Sequence, residues 1–123
     1  MKIKRISVYI FAILIYSCSV GDYNTDLGDD YLFVSESNAN QFIYNVADTT
    51  GRRSVPCTVE KFKFDEQYIV AKQKPNSDCS NKGFLDSTSR FYIIDKKKHV
   101  EYGPLDSITY QKKVELLSIN LDL

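Results

Sequence analysis

The chain has 123 residues with 16 basic and 16 acidic side chains, so its formal net charge is zero. Apolar residues make up 43% and aromatic residues 13%, and five Gly and three Pro interrupt the chain. These values exclude collagen-like and low-complexity classes and predict one globular domain. Neutrality argues against a nucleic-acid partner, and a single His leaves little room for His-based catalysis.

The N-terminus predicts a cleaved signal helix. Lys2, Lys4 and Arg5 precede an apolar run at residues 6–15. As a helix this run would span about 15 Å, against a hydrocarbon core of about 30 Å. That length is too short for a membrane span and typical of a signal-peptide core, so residues 1–17 are set apart from the fold.

The residues that follow resemble a bacterial lipobox. Residues 15–18 read Ile-Tyr-Ser-Cys, with a branched apolar residue first and a small residue before Cys18, although Tyr16 departs from the usual pattern. The resemblance implies cleavage before Cys18, a diacylglycerol on its thiol and a lipid-anchored protein of the bacterial cell envelope. Ser19 is not the acidic residue that retains lipoproteins at the inner membrane, which favours the outer membrane. A buried N-terminal helix and a secreted, unlipidated protein are the alternatives.

A change of composition separates this anchor from a globular domain. Residues 18–30 contain Gly and four Asp and offer little to bury. Such a segment predicts a flexible acidic tether. The β-rich domain is then expected over residues 31–123.

Strands are predicted where aromatic and β-branched residues cluster or alternate. The expected strands are residues 31–34, 41–46, 58–64, 67–74, 90–95 and 99–102. Asp65 and Glu66 are expected to form the turn of a β-hairpin, and Lys96, Lys97 and Lys98 an exposed turn.

After Pro104 the hydrophobic period changes and predicts a helix at about residues 107–117. Asp106 or Ser107 can cap it. Tyr110, Val114 and Leu117 share one face of such a helix. The expected fold class is α+β, mainly β: an antiparallel meander of about six strands with one C-terminal helix.

Three segments carry a resemblance to a protein family. Residues 64–73, 91–96 and 102–105 are similar to small lipoproteins of Bacteroidetes and related bacteria. In these proteins a domain of unknown function directly follows the lipidated Cys. The resemblance implies a fold and carries no catalytic residues.

Cys57 and Cys79 are the cysteines that remain once Cys18 is acylated. The predicted hairpin places residue 57 opposite residue 74, only five residues before Cys79. The following loop can therefore bring the two Cα atoms within the ~6 Å that a disulfide needs, and a location outside the cytoplasm permits oxidation. The sequence predicts a disulfide, with two free thiols as the alternative.

No arrangement of residues predicts catalysis or a bound group. His99 follows three Lys in a predicted turn, where a solvated side chain is expected. Two Cys and a distant His lack the spacing of a metal site, and no Gly-rich loop suggests a phosphate-bearing cofactor. We therefore predict no enzyme, no metal and no cofactor.

Two short motifs resemble the O-glycosylation motif of Bacteroidetes, in which Ser or Thr follows Asp. They make Thr49, after Asp48, and Ser87, after Asp86, candidate acceptors. A third match, at Asp106, is already explained as the helix cap.

Aromatic residues carry the remaining functional signal. Tyr on an exposed strand face can contact a protein or a carbohydrate, although filling a small β core is the simpler use. The predicted function is a membrane-anchored lipoprotein with a non-catalytic protein-binding or structural module, whose partners are the membrane and an envelope protein. The alternatives are an inhibitor or immunity-type lipoprotein, which would insert residues 75–89 into a partner's cleft, and a glycan or small-molecule binder.

Overall fold

A computed structural model describes residues 23–77 and 87–123. The described residues form two four-stranded antiparallel sheets, in which each strand pairs with its neighbours in sequence. The elements are β1 (Tyr23–Gly28), β2 (Tyr31–Ser37), β3 (Asn40–Asn45), β4 (Arg53–Val55), β5 (Val59–Phe64), β6 (Tyr68–Gln73), β7 (Arg90–Asp95), β8 (Val100–Leu105) and α1 (Ser107–Leu116). Sheet A contains β1–β4 and sheet B contains β5–β8.

The predicted mainly β fold with a C-terminal helix is confirmed, but the number of strands differs. The structure has eight strands, and the two additional ones are β1 and β4. β1 lies where the sequence predicts a tether. Leu27 is its one buried side chain, so the sequence of β1 shows no apolar pattern that would predict a strand. β4 follows a predicted loop and is only three residues long.

A first core lies between the two sheets. Its members come from both sheets and are at most 6% exposed. They are Leu27, Tyr31, Phe33, Ile43, Val55, Val59, Ile69, Ala71, Tyr92 and Ile94. Since each sheet contributes one apolar face, the two sheets form a sandwich.

A second core lies on the opposite face of sheet B. Val70 and Ile93 are fully buried there and form a cluster with Tyr110 of α1. The Tyr110 ring stacks on Phe91 of β7, with the two centroids 4.7 Å apart. Sheet B is therefore covered on both faces, by sheet A and by the helix.

The helix has the predicted position and cap. The Asp106 carboxylate accepts a hydrogen bond from the Thr109 backbone N–H at 2.7 Å, and this bond lowers the pKa of Asp106. The predicted apolar face is confirmed, because Tyr110, Val114 and Leu117 all belong to the second core.

The predicted hairpin between β5 and β6 is also confirmed, but its register differs from the prediction. Val59 pairs with Gln73, and Lys74 lies opposite Thr58 and not opposite Cys57, because the turn is longer than the predicted two residues. The Asp65 carboxylate accepts hydrogen bonds from the backbone N–H groups of Gln67 at 2.9 Å and Tyr68 at 2.6 Å. This turn aligns Phe64 with Ile69 and fixes the register of the two strands.

The predicted exposed lysine turn is correct for Lys97 and Lys98 and wrong for Lys96, which is 2% exposed. The Lys96 ammonium donates hydrogen bonds to the backbone carbonyls of Leu27 and Asp65. These carbonyls lie in or beside the turns that follow β1 and β5, so the ammonium joins the two sheets at one end of the sandwich. Burial lowers the pKa of Lys96.

Candidate functional site

Four aromatic rings form a row where the two sheets meet at the side of the sandwich. We call Tyr23, Phe33, Phe62 and Phe64 the aromatic edge. Successive ring centroids are 5.9 Å apart for Tyr23–Phe33, 4.3 Å for Phe33–Phe62 and 6.5 Å for Phe62–Phe64. These distances are typical of interacting aromatic pairs, so the row is continuous from sheet A to sheet B.

The aromatic edge is anchored inside and exposed outside. Phe33 is 2% exposed, whereas Tyr23 is 54% and Phe64 42% exposed. Phe62 is partly buried and packs against the first core. The exposed rings are therefore held by packing and do not need to become ordered when they bind a partner.

The strand order explains why these rings reach solvent. β5 is the first strand of sheet B, and alternation directs Phe62 and Phe64, which oppose Ala71 and Ile69, toward the inter-sheet side. Sheet A does not extend over the end of β5, because Phe64 stays 42% exposed on this side. The same strand directs Lys63 to the opposite side.

A shallow depression of about 280 Å³ lies along the aromatic edge. It is lined by Tyr23, Phe33, Gln41, Val59, Glu60, Lys61, Phe62, Lys63 and Leu123. Pockets that enclose small molecules usually measure about 300–1,000 Å³. The depression is thus at the lower limit for a small-molecule site.

The charge beside the aromatic edge is positive. Glu60 forms an ion pair with Lys72, with a distance of 3.2 Å between Oε2 and Nζ. Lys61 and Lys63 are exposed and have no ion-pair partner among the residues that the structure describes. Two ammonium groups without an ion-pair partner in this part of the chain therefore lie on β5 next to the aromatic rings, on the opposite face of the strand.

Cys57 is buried at 1% exposure and is disulfide-bonded. Cys18 and Cys79 lie outside the described residues, so the pairing with Cys79 and the lipidation of Cys18 stay predictions. The start of the loop that leads to Cys79 does lie beside Cys57, because the Thr58 N–H donates to Ser77 Oγ at 3.0 Å.

A buried amide holds this loop start in place. Gln73 is 1% exposed, and its Nε2 donates to the Cys57 carbonyl at 3.0 Å and to the Ser77 carbonyl at 3.3 Å. Its Oε1 accepts hydrogen bonds from the Tyr92 hydroxyl at 3.1 Å and from Arg90 at 3.2 Å. One side chain thereby connects the segment around Cys57, β7 and the loop after β6.

The two candidate glycosylation residues are exposed. Thr49 lies in the loop between β3 and β4. The neighbouring Asp48 carboxylate accepts hydrogen bonds from Thr50 at 2.9 Å and 2.7 Å. Ser87 begins the second described range. Both assignments stay predictions.

His99 occupies the turn between β7 and β8 and is exposed. Its ring stacks on Tyr31 with the centroids 6.2 Å apart. The Tyr31 hydroxyl donates to Glu101 at 3.2 Å, and burial raises the pKa of Tyr31 to about 12. Within residues 23–77 and 87–123, no group of three or more His, Cys, Asp or Glu side chains could hold a metal ion.

The sequence predicts only some of the residues of the aromatic edge. Residues 61–64 read Lys-Phe-Lys-Phe, and this alternation predicts both Phe rings on one strand face. Tyr23 could not be placed there, because β1 was predicted as tether. The exposure of Phe64 also depends on where sheet A ends, which no local pattern encodes.

No helix within the described residues combines the length and the hydrophobicity of a membrane span.

Comparisons with known proteins add a family. No match was found among curated proteins or among solved structures. Residues 28–123, which include the last residue of β1 and every later element, match a family model, and the chain belongs to this family, DUF3997, a protein family of unknown function.

Proposed function

We propose that the chain is a lipid-anchored protein of the bacterial cell envelope whose domain binds another protein through the aromatic edge and catalyses no reaction. The observation that carries this proposal is the exposure of Tyr23 and Phe64 at 54% and 42%, in a row anchored by the buried Phe33. Rigid aromatic side chains dominate the energetics of protein interfaces.

The polar groups beside the aromatic edge support binding more than catalysis. Lys61 and Lys63 are exposed and so lack the desolvation that activates a catalytic amine. The carboxylate of Glu60 already pairs with Lys72. These groups can select a partner by charge.

A glycan or small molecule is the second candidate ligand. Tyr23 is half-exposed beside a concave depression of about 280 Å³, and a sugar ring can stack on Tyr. A protein is favoured because the rest of the row consists of Phe rings without a polar group. An inhibitor that inserts residues 75–89 stays an alternative; residues 78–86 of that loop lie outside the described residues.

The anchor is tested by expressing the full-length protein in a Gram-negative host and measuring its N-terminal peptide by mass spectrometry. We expect a peptide that begins with a di- or triacylated Cys18 and that disappears in Cys18→Ala. An intact Met1, or cleavage elsewhere without lipid, would overturn the anchor.

Binding is tested by photo-crosslinking in the native envelope. A benzophenone amino acid replaces Tyr23 or Phe64, and Leu116 of α1, which is 77% exposed, serves as the matched control site. We expect a discrete protein adduct at positions 23 and 64 and none at 116. Equal yields of adduct at all three positions would contradict protein binding through the aromatic edge. Binding of a purified glycan without any protein adduct would also contradict it.

A further inference from the structure

We propose that β5 binds its partner by β-strand addition, and that the added segment alternates apolar with acidic side chains. This inference rests on the proposed protein-binding function and adds the binding mode and the chemistry of the partner. The occupant is an extended segment of another protein.

β5 has a free edge. It is the terminal strand of sheet B and pairs only with β6 within the described part of the chain. The Asp65 N–H donates to the Tyr68 carbonyl at 3.0 Å. Because bonded and non-bonded pairs alternate in an antiparallel ladder, Lys63 then bonds to β6, while the N–H and C=O groups of Phe62 and Phe64 point away from it.

The register of β5 leaves a regular segment for pairing. The bulge lies between Val59 and Lys61, and the pairing is continuous from Lys61 to Phe64. Over this segment the strand offers backbone donors and acceptors at alternate residues. An extended peptide can use them in the same way as strands added to other exposed sheet edges.

The two faces of β5 define the pattern of the partner. Phe62 and Phe64 lie on the inter-sheet side, opposite Ala71 and Ile69. Lys63, opposite Val70, lies on the other side. Since directly opposed side chains share a face, an added strand would place apolar residues beside the Phe rings and acidic residues beside the lysines.

The same lysines disfavour a second copy of this chain. If two β5 strands pair antiparallel about Phe62, Lys61 opposes Lys63, and if they pair about Lys63, two Lys63 side chains oppose each other. Like charges directly opposite destabilise a pair, and edge lysines protect natural sheets in this way. Lys61 and Lys63 therefore disfavour self-pairing in these registers and favour an acidic strand.

The other sheet edges are less suitable. β4 has three residues, and β8 contains Pro104, which has no N–H to donate. β1 has a regular stretch of the same length, Tyr23 to Asp26, but it carries no Lys or Arg. Only β5 combines a regular edge with exposed aromatic rings and unpaired cations in the described part of the chain.

The test uses the full-length protein in detergent micelles and three fluorescein-labelled probe peptides of eight residues. The first alternates Glu with Val and Phe, the second has Lys in place of Glu, and the third has Pro at two central positions. We expect saturable binding of the first in fluorescence anisotropy, and binding about tenfold weaker for the other two. Hydrogen exchange at Phe62 and Phe64 should slow when the first peptide binds.

Charge reversal links this binding to β5. Lys61→Glu with Lys63→Glu should weaken the Glu peptide about tenfold or more, whereas Lys112→Glu, an exposed reversal on α1, should leave it unchanged. Circular dichroism melting checks that each variant folds. Equal binding of the Lys or Pro peptide, or no effect of the double reversal, would overturn strand addition.

The failure of this inference can be distinguished from failure of the proposed function. If the peptides do not bind but a protein adduct still forms at position 64, the protein-binding function stands and strand addition is wrong. If the peptides do not bind and no protein adduct forms at position 64, both strand addition and the protein-binding function are wrong.

Discussion

The two sheets have the same strand order but very different surroundings. In β6 of sheet B, five of the six side chains are buried, because sheet A covers one face and α1 the other. In β2 of sheet A, buried and partly exposed side chains alternate, because only one face is covered. Sheet B is thus the central layer of the molecule, and sheet A is a cover for one of its faces.

This difference separates stability from binding. The strands covered on both faces are β6 and β7 in the middle of sheet B, whereas the exposed rings of the aromatic edge, Tyr23 and Phe64, lie on β1 and β5, the end strands of their sheets. A partner can contact Phe64 without disturbing the central strands. We therefore expect substitutions in the middle of sheet B to change the free energy of unfolding, and substitutions at its edge to change binding.

The largest expected effect comes from truncating the same side chain in the two sheets. Val70→Ala removes two buried methyl groups from the second core of sheet B, where Val70 is 0% exposed, and should lower the free energy of unfolding by about 2–3 kcal/mol. Val34→Ala, on the partly exposed outer face of sheet A, should cost less than about 1 kcal/mol. Urea denaturation of both variants measures the difference, and equal losses would refute the central-layer description.

The same asymmetry decided which strands the sequence could predict. β6 and β7 are covered on both faces and therefore consist of near-continuous apolar runs, which are recognisable locally. β1 buries only Leu27, so its remaining polar residues resemble a tether. β4 is too short to show any period. The exposed strands β5 and β8 were predicted from their aromatic and β-branched residues although they bury little, so burial explains the clearest predictions and length and composition explain the missed strands.

The second expected effect concerns the amide that holds the loop after β6. Gln73→Leu keeps the volume but leaves the buried hydroxyl of Tyr92 and the carbonyl of Cys57 without this partner, which should cost about 2 kcal/mol. The matched change in sheet A, Gln41→Leu, removes one weak hydrogen bond to Ser35 at 3.4 Å and should cost under about 0.5 kcal/mol. Thermal unfolding distinguishes them, and a neutral Gln73→Leu would show that its hydrogen bonds add no net stability.

Gln73 and Lys96 are two residues whose hydrogen-bond partners the sequence could not predict. Alternation places Gln73 on the inter-sheet side. Its hydrogen-bond partners, however, come from three separate segments of the chain, at residues 56–57, 77 and 90–92. Lys96 looks like the first residue of a solvated lysine turn. Its burial depends on the carbonyl of Leu27, 69 residues away, and on that of Asp65, 31 residues away.

The third expected effect depends on pH. Burial lowers the pKa of Lys96 in the folded state, so the unfolded chain binds this proton more tightly. Stability from this group must then rise as the pH rises through the folded pKa toward the ordinary lysine value. Asp29, Asp65 and Asp26 oppose the shift, and Lys97 adds to it.

Lys96→Met keeps the aliphatic stem and removes the titration. It should cost about 1 kcal/mol at pH 7, because two carbonyls lose a charged donor. The cost should grow at alkaline pH, and taking the difference between wild type and variant cancels the contribution of Tyr31. A pH-independent difference from pH 7 to about 10.5 would show that Lys96 has an ordinary pKa in the folded state.

The smallest expected effect tests the layer that covers the outer face of sheet B. Asp106 caps α1, and its hydrogen bond from Thr109 lowers the pKa of the carboxyl. The stability that it supplies is therefore present above the ordinary Asp value and is lost as the pH falls through the folded pKa. Asp106→Ala should lower the melting temperature slightly at pH 7 and have less effect as the carboxyl becomes protonated.

Asp106→Asn is the matched control for this cap. Asn also accepts a hydrogen bond at an N-cap but does not titrate, so its melting temperature should stay closer to wild type at pH 7 and should not show the acid-dependent loss. If Asp106→Ala and Asp106→Asn behave alike at every pH, the cap does not stabilise α1. The packing of Tyr110, Val114 and Leu117 in the second core would then hold α1 on sheet B without a contribution from the Asp106 hydrogen bond.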